Sequence, residues 1–161
     1  MAQLIARQIH ESLIKNKKTL AVAESCTGGL LSKLLTDFSG SSHYFIMGLV
    51  AYSNTIKVRI LKIPHRIILE KGAVSEEVAR LMAKSARKIA KADIGLGITG
   101  IAGPCGGSKE KPVGTVFIAI DTQSKHICKK FYFKGNRAAI RKNAALKALT
   151  LLKRGPTSTT Y

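Results

Sequence analysis

The stretch TLAVAESCTGGLLSKLLTDF, residues 19–38, decides how the rest of the chain is read. Its first part, TLAVAES, is a short apolar run of strand length. From Thr27 the spacing changes: Leu30, Leu31, Leu34, Leu35 and Phe38 form a helical stripe, and Ser25 or Thr27 is placed to cap the helix start. A strand that passes through a glycine turn into a helix is the repeating unit of α/β folds. The turn gathers a carboxylate, two hydroxyls, a thiol and two glycines between Glu24 and Gly29. In such folds ligands bind at the carboxyl ends of the strands.

Upstream, Leu4, Ile5, Ile9, Leu13 and Ile14 predict an amphipathic helix over 3–16. Downstream, SGSSHYF predicts a turn or short helix, IMGLVAYS a second strand, and NTIKVRILKI a helix capped by Asn54 and ended by Pro64. A helix over 76–91 precedes ADIGLGITG, a buried strand that leads into the glycine-rich loop GIAGPCGGSKEKP. VGTVFIAIDT and HICKKFYFK, separated by QSK, predict antiparallel neighbours, and a last helix begins at Asn136. The expected fold is α/β: a three-layer α/β/α sandwich with a mostly parallel mixed sheet and an antiparallel edge. It forms a single domain over 1–154, followed by a tail over 155–161.

Composition narrows the setting. A chain of 161 residues with 45% hydrophobic content suits one domain with its own core. No apolar run approaches the roughly 20 residues of a membrane span. The N-terminal helix carries Arg7, His10 and Glu11, unlike a secretory signal. Cys26, Cys105 and Cys128 show no CxxC pairing, and the four histidines have no ligand spacing. A cytoplasmic protein with no metal, no cofactor and no membrane partner is expected. The net charge of +18 favours anionic partners, and residues 122–154 hold ten Lys or Arg without an acid. Arg80, Lys84, Arg87, Lys88 and Lys91 share one face of a predicted helix, as a solvated face does. Nucleic acid is a conceivable partner with no motif behind it, since alternation in a strand accounts for KKFYFK at 129–134.

Three loops, ESCTGG, YSN and TGIAGPCGG, follow strands and face one crevice if those strands are parallel. Their glycines let backbone N–H groups approach an anion, although neither glycine-rich stretch matches a Walker A or GxGxxG fingerprint. Tyr52 at a strand end and Lys57 in the next helix can point into that crevice, with Ser41 and Ser42 approaching from the preceding turn. A lysine with a lowered pKa can serve as base for a serine, with a tyrosine positioning the proton. Glu24 reads as a buried acceptor for loop N–H groups, and Cys26 as a small buried hydrophobe.

The segments AESCTGG, GSSHYF…AYSNTIK, GAVSEEVA, ITGIAGPCGGSKEKPVGTV and GNRAAIRKNAA closely resemble, in order and spacing, the C-terminal domain of the CinA competence/damage-inducible family over roughly residues 5 to 153. That resemblance implies a metal-free hydrolysis of the carboxamide of nicotinamide mononucleotide to nicotinic acid mononucleotide and ammonia, a pyridine nucleotide salvage step. It implies Ser42, Tyr52 and Lys57 as the catalytic set; Ser25 is the alternative nucleophile, because the sequence does not show which hydroxyl faces the lysine. It further implies substrate contacts from Thr99 and Arg137, and self-association as a dimer. Added to these are Glu24 as a loop anchor, the hydroxyls of Ser25 and Thr27, and the backbone of Gly28, Gly29, Gly100, Ala102 and Gly103 for a phosphate. Cys105 stands where relatives often carry Asp or Gly. The competing expectation is a non-catalytic member that binds a nucleotide or nucleic acid.

Overall fold

The computed structural model describes residues 1–155. Five strands, β1 (Leu20–Glu24), β2 (Phe45–Val50), β3 (Ile94–Gly100), β4 (Thr115–Asp121) and β5 (His126–Tyr132), form one sheet in the order β2-β1-β3-β4-β5. β1 is parallel to both of its neighbours, whereas β4 is antiparallel to β3 and to β5. The antiparallel part thus begins one strand further in than the edge, and the three strands that open onto ligand loops remain parallel.

The sheet keeps bulky residues on one face, while β1 and β3 present small ones on the other. Leu20, Val22, Leu96, Ile98, Val116, Ile118 and Ile120 pack under α1 (Ala2–Lys15), α2 (Leu30–Thr36) and α6 (Arg137–Arg154). The opposite face presents Ala21, Ala23, Gly95, Gly97 and Ala119 to α5 (Glu76–Ala90), which answers with Ala79, Ala83 and Ala86. Small against small lets this helix lie close: a Cβ added at Gly97 would sit 2.5 Å from the Ala79 carbonyl oxygen. Two short helices, α3 (Asn54–Arg59) and α4 (His65–Lys71), complete that layer. The result is the expected three-layer sandwich.

Some local expectations are corrected. Neither Ser25 nor Thr27 caps α2; its N-cap is Gly29, and the Glu24 carboxylate takes the free N–H groups instead. Helix α3 is capped by Ser53, whose hydroxyl accepts from Ile56 N–H, rather than by Asn54. Residues 65–71 form a further helix between Pro64 and Gly72, where no helix is expected. Gly155 closes α6, and the rest of the expected tail, 156–161, lies outside the described residues. Among the described residues no helix is long and apolar enough to cross a membrane.

Candidate active site

Parallel pairing sets Glu24 opposite both Val50 and Ile98, so the next residues of all three strands emerge together. Ser25, the segment Ala51–Tyr52, and Thr99 with Gly100 therefore surround one opening. Helix α3 begins just beyond Tyr52 and turns Lys57 back into it.

Lys57 is 1% exposed, the one buried Lys or Arg among the described residues. Its Nζ donates to the Ala51 carbonyl at 2.8 Å and the Tyr52 carbonyl at 3.2 Å, and lies 3.1 Å from Ser25 Oγ. Among the described residues no carboxylate lines the cavity around it. Burial accordingly pushes the Lys57 pKa below its ordinary value. Burial also raises the neighbouring Cys26 thiol to about 11, which keeps it protonated and a poor nucleophile at neutral pH.

The turn after β1 is fixed from beneath. Glu24 is fully buried, and its two oxygens accept from Gly29 N–H (3.0 Å), Leu31 N–H (3.1 Å), Ser32 N–H (2.8 Å) and Ser32 Oγ (2.6 Å). An internal carboxylate thus occupies the positive end of α2. Glu24 thus anchors the loop rather than facing a ligand, and Gly28 and Gly29 are removed from the expected phosphate contacts. Thr27 is likewise fully buried, and none of these four residues lines the cavity.

A cavity of about 280 Å³ opens over the Ser25–Lys57 pair. Its far wall is Thr99, Gly100, Ala102 and Gly103, continued by Cys105 and Gly106. Thr99 is buried and donates to the Ala73 carbonyl at 2.7 Å. The N–H groups of Ala102, Gly103, Cys105 and Gly106 have no acceptor among the described residues. Arg137, at the start of α6, bridges two walls: Nη1 donates to the Gly103 carbonyl at 2.8 Å and Nη2 to the Tyr52 hydroxyl at 2.7 Å. No Asp or Glu lines the cavity, while Lys57 and Arg137 both do. Such a lining favours an anionic ligand.

The structure thus brings together Ser25, Tyr52, Lys57, Thr99, Gly100, Ala102, Gly103 and Arg137. Ser42 is elsewhere. It lies exposed in the 3-10 turn Ser41–His43 that leads into β2, whereas Tyr52 and Lys57 follow the other end of that strand. Six strand residues, about 20 Å, intervene. Ser42 as partner of Lys57 is therefore corrected to Ser25. Tyr52 orients the lysine through its carbonyl, and its hydroxyl is engaged by Arg137. Asn54, Ala73 and Val74 also line the cavity. Nothing in their own segments marks the last two, because small apolar residues facing a cavity look like core.

Comparison with known proteins agrees with this fold. The model of the CinA C-terminal domain family matches residues 2–155. A CinA-like protein of Geobacter sulfurreducens is 54% identical over 136 residues, which cover 84% of this chain and 33% of that protein. A CinA-like protein of Desulfotalea psychrophila is 47% identical over 154 residues, 96% of this chain and 36% of that protein. The chain spans about a third of the length of these curated relatives. Among solved structures, the competence/damage inducible protein CihA from Agrobacterium tumefaciens superposes with a TM-score of 0.92 at 35% identity, covering 95% of this chain and 94% of that one. The competence damage-inducible protein A (ComA) from Klebsiella pneumoniae superposes with a TM-score of 0.94 at 28% identity, covering 99% of each chain.

Proposed function

The chain belongs to the CinA C-terminal domain family, and from that premise we propose that it hydrolyses the carboxamide of nicotinamide mononucleotide to nicotinic acid mononucleotide and ammonia. Ser25 is the nucleophile and Lys57 the base. The observation that carries the reading is the buried 3.1 Å approach of Lys57 Nζ to Ser25 Oγ.

The surroundings of Lys57 match that role. A neutral amine has two N–H bonds and one lone pair. With the two N–H bonds directed to the Ala51 and Tyr52 carbonyls, the lone pair faces the Ser25 hydroxyl. Lys57 accepts the serine proton as Ser25 Oγ bonds to the carboxamide carbon, and the carbonyl oxygen becomes an oxyanion. The unpaired N–H groups of the 102–106 loop are donors of the kind that stabilise such a charge. Collapse breaks the C–N bond, and Lys57 returns the proton to the departing nitrogen, which leaves as ammonia. Water then attacks the nicotinoyl ester on Ser25, with Lys57 again taking and returning the proton. Arg137, with a planar fork suited to phosphate, and the acid-free lining account for the nucleotide's 5′-phosphate.

Ammonia release from nicotinamide mononucleotide, set beside its dephosphorylated nucleoside, tests both halves of the reading. Fast release from the nucleotide and slow release from the nucleoside is expected. Binding of the nucleotide without ammonia release identifies a non-catalytic member instead.

A further inference from the structure

The turn that carries Ser25 is tied to its own strand–turn–helix unit and to the sheet. Ser25 N–H donates to the Ile98 carbonyl, Gly28 N–H to the Ser25 carbonyl, and Leu30 N–H to the Thr27 carbonyl. One tie comes from the far end of the chain. Arg141 Nη2 donates to that same Thr27 carbonyl at 2.8 Å, across 114 residues.

This guanidinium is placed at a cost. Arg141 Nε is buried without a hydrogen-bond partner among the described residues, and so is Oγ1 of Thr27. Desolvating a cation with an unmet donor does not by itself stabilise a fold, and a well-packed apolar side chain commonly serves as well. The turn is also shaped around the arginine: a Cβ at residue 28 would lie 2.9 Å from Arg141 Nη2, and Gly28 occupies φ +60° there. Arg141 follows Arg137 by four residues, so both leave the same face of α6. Arg137 holds Tyr52 and the Gly103 loop, and Arg141 holds the turn after β1.

Resting on the reaction proposed above, we propose that Arg141 is a positioning residue for Ser25: its bond to the Thr27 carbonyl holds the Ser25 hydroxyl at reacting distance from Lys57. It touches neither substrate nor base, so its loss acts on turnover rather than on binding. Displacing a reacting group by about 1 Å can cost on the order of 100-fold.

The test compares Arg141→Met, which keeps the apolar stem, and Arg141→Lys, which keeps a cationic donor, with the wild-type chain. Readouts are kcat and KM on nicotinamide mononucleotide, thermal melting, and amide exchange of residues 25–29. Arg141→Met is expected to lower kcat by about 10- to 100-fold, with KM little changed and faster exchange in the turn. Arg141→Lys is expected to restore much of both. Wild-type kcat in Arg141→Met, or a loss confined to KM, overturns the assignment. If Arg141→Met does not fold, Arg141→Gln, too short to reach the Thr27 carbonyl, decides: kcat below wild type with unchanged KM supports the role, and wild-type kcat with unchanged exchange overturns it. If the wild-type chain itself releases no ammonia, that failure belongs to the proposed reaction. Exchange in residues 25–29 then decides Arg141 alone, faster exchange supporting the role and unchanged exchange overturning it.

Discussion

Ser25 and Lys57, 32 residues apart in the chain, meet at 3.1 Å because β1 and β2 run parallel and end together. The lysine is buried with two carbonyls and a hydroxyl and, among the described residues, no counter-charge. This arrangement has consequences for pH, stability and substrate choice.

Turnover should rise with pH as Lys57 loses its proton, with the rising limb below the ordinary lysine value of about 10.5 because burial lowers this group. The same shift acts on stability. Between the lowered folded value and the ordinary unfolded one, the unfolded chain binds more protons, so stability increases with pH across that window. Below it the burial penalty is fully present. Lys57→Met should flatten this dependence and raise Tm at neutral pH, while reducing kcat by roughly 100-fold or more. Melting curves at several pH values, beside a pH–rate profile, check both.

Glu24→Gln replaces an acceptor-only group with one that turns an N–H₂ toward backbone donors. Four contacts converge on that carboxylate, three of them backbone N–H groups. A loss of about 3 kcal/mol is expected, a fall in Tm of roughly 6–12 °C. Denaturant unfolding measures it.

Arg137→Ala removes the bridge between Tyr52 and Gly103 together with a cation at the cavity wall. KM for the nucleotide should rise by roughly 10- to 100-fold. Steady-state kinetics on the nucleotide and on its dephosphorylated nucleoside check the origin: the substitution should penalise the nucleotide far more.

Gly97→Ala drives a methyl group against the backbone of α5, 2.5 Å from the Ala79 carbonyl oxygen and 2.6 Å from the Ala83 nitrogen. Neither atom belongs to a flexible side chain. Destabilisation of about 1–3 kcal/mol is expected, measured by chemical denaturation.

Much of this molecule was legible in its sequence. The Leu30 to Phe38 stripe, the β-rich segments and the breaks at glycine and proline yield the sandwich, and the order of motifs yields the family. Tyr52 and Lys57 stand out by their position after a strand, but one lysine among 27 basic residues reads from spacing alone as a surface residue, and it is the order of motifs that marks it. The nucleophile was less so, because Ser42 and Ser25 both flank strands, and only strand direction separates them: Ser42 precedes β2, while Ser25 follows β1. The use of Glu24 in place of a hydroxyl cap was hidden for a related reason. A cap supplied from the preceding strand leaves no mark at the usual capping position. Arg141 sits in a basic run whose members look alike until the Thr27 carbonyl singles one out.

The most direct measurement of the central claim is ammonia release from nicotinamide mononucleotide by the wild-type chain, Ser25→Ala and Ser42→Ala. Stoichiometric ammonia and nicotinic acid mononucleotide from the wild type are expected, with Ser42→Ala unaffected and Ser25→Ala slower by about 10³-fold or more. Undiminished turnover in Ser25→Ala, or activity lost in Ser42→Ala with the fold intact, contradicts it.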